Sequence, residues 1–123
     1  MKLTDISDYI FYSKIIKNPW EVVSFRNKRN HGDKITVQFD SGQELNLRGD
    51  RQDYKIFRSI FIEDEYRVKS FNKGDLPVVL DLGGNVGIFA VRAANIAGKV
   101  FSFEPMPENF NRLVNNISNL NKK

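Results

Sequence analysis

Two groups of residues are placed to do chemistry. Asp81-Leu-Gly-Gly-Asn-Val-Gly87 lies between an apolar run and a helical one, and Glu104 ends the next apolar run. Glycines at such a place permit a sharp turn and let a ligand approach main-chain atoms at distances a Cβ forbids. A strand-to-helix turn with no ligand needs the same glycines, so the loop alone does not decide between the two. The carboxylates tilt the balance. An acid precedes the glycines, and Glu104 follows at roughly the 20-residue interval at which a carboxylate on the second strand holds the hydroxyl pair of a ribose. The expectation is an adenosine ligand. The dinucleotide fingerprint G-x-G-x-x-G spaces its outer glycines so that a pyrophosphate meets a helix N-terminus. Gly83 and Gly87 are closer together than that, with Asn85 between them, which disfavours a diphosphate.

The elements that must hold these groups can be read from periodicity. Pro77-Val-Val-Leu-Asp81 is continuously apolar up to its acid, the pattern of a parallel strand covered on both faces. Ile88 to Ala97 reads as a helix closed by Gly98, and Lys99-Val-Phe-Ser-Phe103 as the next strand. Phe110, Leu113, Val114, Ile117 and Leu120 repeat as a helical stripe, with Pro107 suited to its first turn. Strand, helix, strand, helix is the beginning of a parallel α/β sheet. Two such strands leave an unpaired edge and an uncovered face. Upstream, Asp5–Lys17 carries apolar residues at helical intervals and is expected to end before Pro19. Val22–Phe25 reads as alternating and extended. Lys34–Phe39 and Glu44–Leu47 read as a hairpin turned by Asp40-Ser-Gly42, and Gln52–Phe61 as a helix with Asp50 or Asp53 near its start. The expected organisation is 1–74, an N-terminal helix, hairpin and covering helix, and 75–123, two strand-helix units, with the boundary near Asn72-Lys-Gly-Asp75.

Composition narrows the chemistry. A chain of 123 residues with 41% hydrophobic residues can bury a core and has room for one small domain and no more, which excludes a two-domain enzyme. Trp20, Phe57, Phe61 and Phe71 are expected in that core. There is no cysteine and His31 is the one histidine, so thiolate and clustered-imidazole metal sites are excluded. The net charge of +4 is spread over both halves, and Arg26-Asn-Lys-Arg-Asn-His-Gly32 lacks aromatic stacking partners, so it reads as a solvated loop and no nucleic acid is expected. The longest apolar runs fall short of the ~20 residues a span requires, and the N-terminus has no signal-peptide pattern. A soluble, cytoplasmic protein with no membrane partner is expected. No function is drawn from Asn109, Asn111, Asn115, Asn116, Asn119 and Asn121.

An acid followed by G-x-G-x-G or G-x-N-x-G resembles the first motif of class I S-adenosylmethionine-dependent methyltransferases. More narrowly, Val79-Leu-Asp-Leu-Gly-Gly-Asn-Val-Gly-Ile-Phe-Ala90 with Phe103-Glu-Pro-Met-Pro-Glu-Asn-Phe-Asn-Arg-Leu-Val-Asn-Asn-Ile117 is similar to the FkbM family of methyltransferases. Arg51-Gln-Asp-Tyr-Lys-Ile-Phe-Arg-Ser-Ile-Phe-Ile-Glu-Asp-Glu-Tyr66 is similar to the segment that precedes the cofactor loop in many members. The likeness covers about residues 45 to 121. It implies a Rossmann-like sheet of the class I type, here only its start. It implies that Gly83, Gly84, Asn85 and Gly87 lie under the methionine portion of S-adenosyl-L-methionine, that Asp81 orients that loop, that Glu104 accepts from the ribose hydroxyls, and that Pro105 and Met106 border the adenine. Each acid also has a plainer role open to it, Asp81 as a helix cap and Glu104 at the positive end of the helix near Pro107. The implied reaction is O-methylation of a small molecule or carbohydrate. The family's acceptor pocket and catalytic apparatus belong to later strands, so no catalytic base is named and a portion truncated before that region is expected. The rival expectation is a noncatalytic fragment or subunit that pairs with a completing protein chain through its open sheet edge.

Overall fold

The computed structural model describes residues 2–28, 30, 32–118 and 120. The chain is mixed α/β. It divides into two compact units, 1–58 and 59–123, which follow one after the other.

Unit 1 opens with helix α1 (Leu3–Tyr12). The helix stops well before Pro19 because Ile16 is drawn into an antiparallel bridge with Phe39. The amide of Lys17 donates to the Gln38 carbonyl at 2.7 Å, and that of Asp40 to the Ile15 carbonyl at 2.9 Å. Pro19 starts a helix instead of ending one. It occupies the first turn of α2 (Pro19–Phe25), where its missing N–H is no loss. Val22–Phe25 is therefore helical, correcting the extended reading. Val22, Val23 and Phe25 are buried, and the one-face packing of a short helix mimicked alternation. Asn18 fastens this corner to the hairpin, its Nδ2 donating to the Thr36 carbonyl at 2.9 Å while its Oδ1 accepts from the Gln38 amide at 3.0 Å.

Strands β1 (Lys34–Gln38) and β2 (Glu44–Arg48) form the expected antiparallel hairpin. Gly42 takes a φ of 92° at its turn, a conformation glycine adopts without penalty. Helix α3 (Gln52–Phe61) runs across the division between units. The Asp50 carboxylate accepts from the Gln52 and Asp53 amides at 3.1 and 3.4 Å, satisfying two of the donors a helix start leaves open. Tyr12, Val22, Val37, Leu45, Leu47, Tyr54 and Phe57 are buried, with the Tyr12 and Phe57 rings 5.5 Å apart. The buried Asp8 carboxylate meets Arg58 in a fork, Nε to Oδ2 at 2.9 Å and Nη2 to Oδ1 at 3.1 Å.

Unit 2 begins in the last turn of α3 and passes through a short 3-10 turn, Val68–Ser70. It then forms a two-stranded parallel sheet from β3 (Leu76–Leu82) and β4 (Ala97–Phe103). The connection is α4 (Ile88–Ala93), packed against both strands, and α5 (Pro107–Ser118) packs against α4. Gly98 is not the helix stop that its position suggested. It lies inside β4, where a Cβ would come within 2.8 Å of the Pro77 carbonyl oxygen, so glycine is there to let two strands approach. Ile60, Phe61, Val68, Val86, Ile88, Val91 and Leu113 are buried. The parallel strands are covered on one face only. Val78, Leu80 and Leu82 of β3 and Phe101 and Phe103 of β4 share the other face and are exposed, which departs from the reading of a strand buried on both sides. Phe57 and Phe61 are core residues as expected, but Trp20 and Phe71 are exposed. Among the described residues no helix is long and apolar enough to cross a membrane. Arg29, His31, Asn119 and Asn121, singled out in the sequence, lie outside the described residues.

Candidate functional site

The tip of β3, the loop after it and the residues after β4 come together. Parallel pairing sets Asp81 opposite Ser102 and Leu82 opposite Phe103, so the two strand ends finish at one level and the acids Asp81 and Glu104 stand at that end of the sheet. The chain then turns through three left-handed residues in the loop, Gly83 at φ 82°, Asn85 at φ 51° and Gly87 at φ 92°. Asparagine is among the few residues with a Cβ that tolerate this conformation, so one physical demand explains the residue types at all three positions.

The remaining glycine serves a different purpose. A Cβ on Gly84 would strike the Ser102 hydroxyl and come within 2.7 Å of Leu113 Cδ1. A Cβ on Gly83 would meet nothing within 4 Å. Gly84 is thus the packed side of the loop and Gly83 the open side, the one a ligand can reach.

Glu104 closes the loop from the front. Its Oε2 accepts from the Asn85 amide at 2.7 Å and its Oε1 from the Met106 amide at 2.9 Å. One carboxylate thus ties the glycine loop to the residues that lead into α5, and the Met106 bond lies just ahead of Pro107, near the positive end of that helix. Each oxygen has a second lone pair. Asp81 does not cap α4, whose start at Gly87 has no side-chain cap. It is buried, at 8% exposure, and accepts from the Ser102 hydroxyl at 2.6 Å. Pro105 and Met106 are exposed beside Glu104.

Most of the loop amides that a phosphate would need are already committed. Those of Gly83 and Gly84 both donate to the Phe103 carbonyl at 2.9 Å, that of Gly87 donates to the Gly84 carbonyl at 2.9 Å, and that of Asn85 donates to Glu104. The loop therefore offers a carboxylate where a phosphate site offers converging N–H groups. The resulting surface favours hydroxyls and positive charge over a diphosphate.

Two residues that hold the site were given no role in the sequence reading. Asn116 is buried and its Nδ2 donates to the Val86 carbonyl at 2.7 Å, supporting the loop from behind. Its signal was present, since it falls three residues after Leu113 on the buried stripe of α5, but the surrounding asparagines masked it. Ser102 alternates with the outward Phe101 and Phe103, which places its hydroxyl on the Asp81 side. Among the described residues no group of three or more His, Asp or Glu side chains is arranged to hold a metal ion. Comparison with protein-family models, with curated proteins and with solved structures finds no match.

Proposed function

We propose that residues 81–106 are the S-adenosyl-L-methionine-binding portion of an FkbM-like class I methyltransferase fold, with β3 and β4 as the first two strands of a Rossmann-like sheet. The observation that carries this reading is the carboxylate of Glu104, held over a left-handed glycine loop whose open side is Gly83. The free lone pairs of Glu104 suit a ribose hydroxyl pair, and the exposed Met106 side chain suits an adenine edge. The commitment of the loop amides supports the same ligand independently of motif spacing. A sulfonium cofactor carries positive charge and no phosphate, and a loop with committed amides between two carboxylates favours that charge balance. The donor is activated by its own sulfonium, so the protein's share is proximity and alignment with the acceptor, a hydroxyl of a small molecule or carbohydrate.

A second reading, a subunit completed by another chain along the sheet, is favoured by the exposed Val78, Leu80, Leu82, Phe101 and Phe103. Calorimetric titration separates the two. Micromolar binding of S-adenosylmethionine that is lost in Glu104→Ala, with no heat from NADH, is the expected result. Absence of heat from S-adenosylmethionine would remove the cofactor reading and leave the second, and binding of NADH alone would overturn the amide argument.

A further inference from the structure

The apolar residues of α1 are not all turned toward the core. Asp8 and Tyr12 mark its buried side, and Leu3, Ile6 and Ile10 fall on the opposite side by helical phase. Leu3 is 85% exposed and Ile10 51%. Tyr9 and Trp20 extend this stripe sideways, their rings meeting edge to face at 5.9 Å, with Trp20 itself 51% exposed. Three aliphatic and two aromatic side chains thus form one exposed apolar surface on unit 1.

The charge around the stripe is positive. Residues 2–28 contain five lysines and arginines against three carboxylates. Asp5 is bound by Arg26 at 2.7 Å and the buried Asp8 by Arg58, so two of the three acids are paired, with Arg26 spent on one of them, and four lysines remain against Glu21. Lys2, before α1, and Lys14, in the turn after it, are exposed and continue the helical phase to either flank of the stripe. Beside it lies an open recess of about 390 Å³ whose walls include Lys2, Asp5, Trp20, Ser24, Arg26 and Asn27, with the Asp5 carboxylate bridging the Lys2 amide, at 2.8 Å, and Arg26.

We infer that unit 1 docks on an anionic lipid surface, with Leu3, Ile6, Ile10 and Trp20 entering the interface and Lys2 and Lys14 facing the head groups. The lysines at either end of the stripe select the occupant, since an anionic bilayer supplies negative charge at its surface and an apolar layer just beneath it, the same order in which the lysines and the stripe are arranged. Tryptophan and tyrosine beside an aliphatic stripe with flanking lysines are the pattern of an interfacial helix, for which length is not the discriminator. The sequence-based exclusion of a membrane rested on the lack of a span, and surface adsorption requires none.

Trp20 is the one tryptophan in the chain, so its emission reports this face directly. The experiment uses the full chain titrated with phosphatidylcholine vesicles and with equimolar phosphatidylcholine and phosphatidylserine vesicles. The expected result is a blue shift on the anionic vesicles, reversed by high salt, and none on neutral ones. Each lysine near an anionic surface contributes about a fivefold factor, so Lys2→Glu/Lys14→Glu should weaken binding at least tenfold. Ile10→Glu, at an exposed position that leaves the fold intact by circular dichroism, should do so by removing apolar contact. No shift on anionic vesicles, or an equal shift on neutral ones, would overturn the inference. So would a shift that depends on protein concentration without vesicles, since a second copy would then occupy the stripe.

Discussion

Glu104 is the residue on which the site turns, because its two carboxylate oxygens join segments that are otherwise separate turns of chain. The neighbouring glycines give a sharper test than their similarity suggests. Gly83→Ala places a methyl in open space at φ 82°, so the cost to stability is about 1–2 kcal/mol of backbone strain. On the proposed reading, affinity for S-adenosylmethionine should fall tenfold or more, because the methyl would stand on the open side of the loop. Gly84→Ala drives a methyl into Ser102 and Leu113, and the overpacking should cost about 1–3 kcal/mol. Urea unfolding read beside calorimetric titration checks both. If Gly83→Ala binds S-adenosylmethionine as tightly as the parent, the open side of the loop is not a ligand face. The left-handed turn and the placing of Asp81 and Glu104 at one end of the sheet were legible, because such a turn restricts residue type and parallel strands end at one level; what the two acids bind within the chain was not. Asn116 was not, because nothing in its type separates a buried amide from the exposed ones around it.

Helices and strands were legible where their period was long or their turn chemistry explicit, as in α3, α5 and the hairpin with Gly42 at its turn. They were misread where tertiary pairing overrode local pattern. Ile16 leaves the helix for a bridge to Phe39, and Pro19 starts α2, which four apolar residues within seven could not reveal. Packing of α1 on α3 through Tyr12 and Tyr54 has a consequence at alkaline pH. Burial, and then the neighbouring phenol, pushes the Tyr12 pKa well above its ordinary value of 10.0, and burial raises that of Tyr54 as well. Both phenols are neutral in the folded chain, so their contribution is whole below pH 10 and is lost as pH rises above it, when the unfolded chain releases protons that the folded one keeps. Stability should fall above pH 10 by up to ~1.4 kcal/mol per pH unit for each phenol. Urea midpoints at pH 9 and pH 11 measure the loss, and Tyr12→Phe should flatten it.

For the whole molecule, the parallel sheet is the feature that sets behaviour in solution. Its order was legible from strand-helix alternation, but periodicity cannot tell a face that is buried from one that is bare, since both are apolar. Leu80 and Phe101 are neighbours across the strands and both exposed, and Leu82 is 79% exposed. A bare face of this kind binds apolar probes and favours association. The native chain should enhance the fluorescence of an anilinonaphthalene sulfonate dye, and Leu80→Gln/Phe101→Gln should remove most of that signal without shifting the urea midpoint. An unchanged signal would place the dye elsewhere.

The bond from Asn116 to the Val86 carbonyl means that the glycine turn is latched at both ends of one helix, by Glu104 just ahead of its first residue and by Asn116 in its final turn. Proteolytic trimming or fraying of that final turn therefore releases the turn from the rear while its front clasp still holds. Damage to the tail of the helix is felt in the glycine turn itself, through Val86, before any strand has parted.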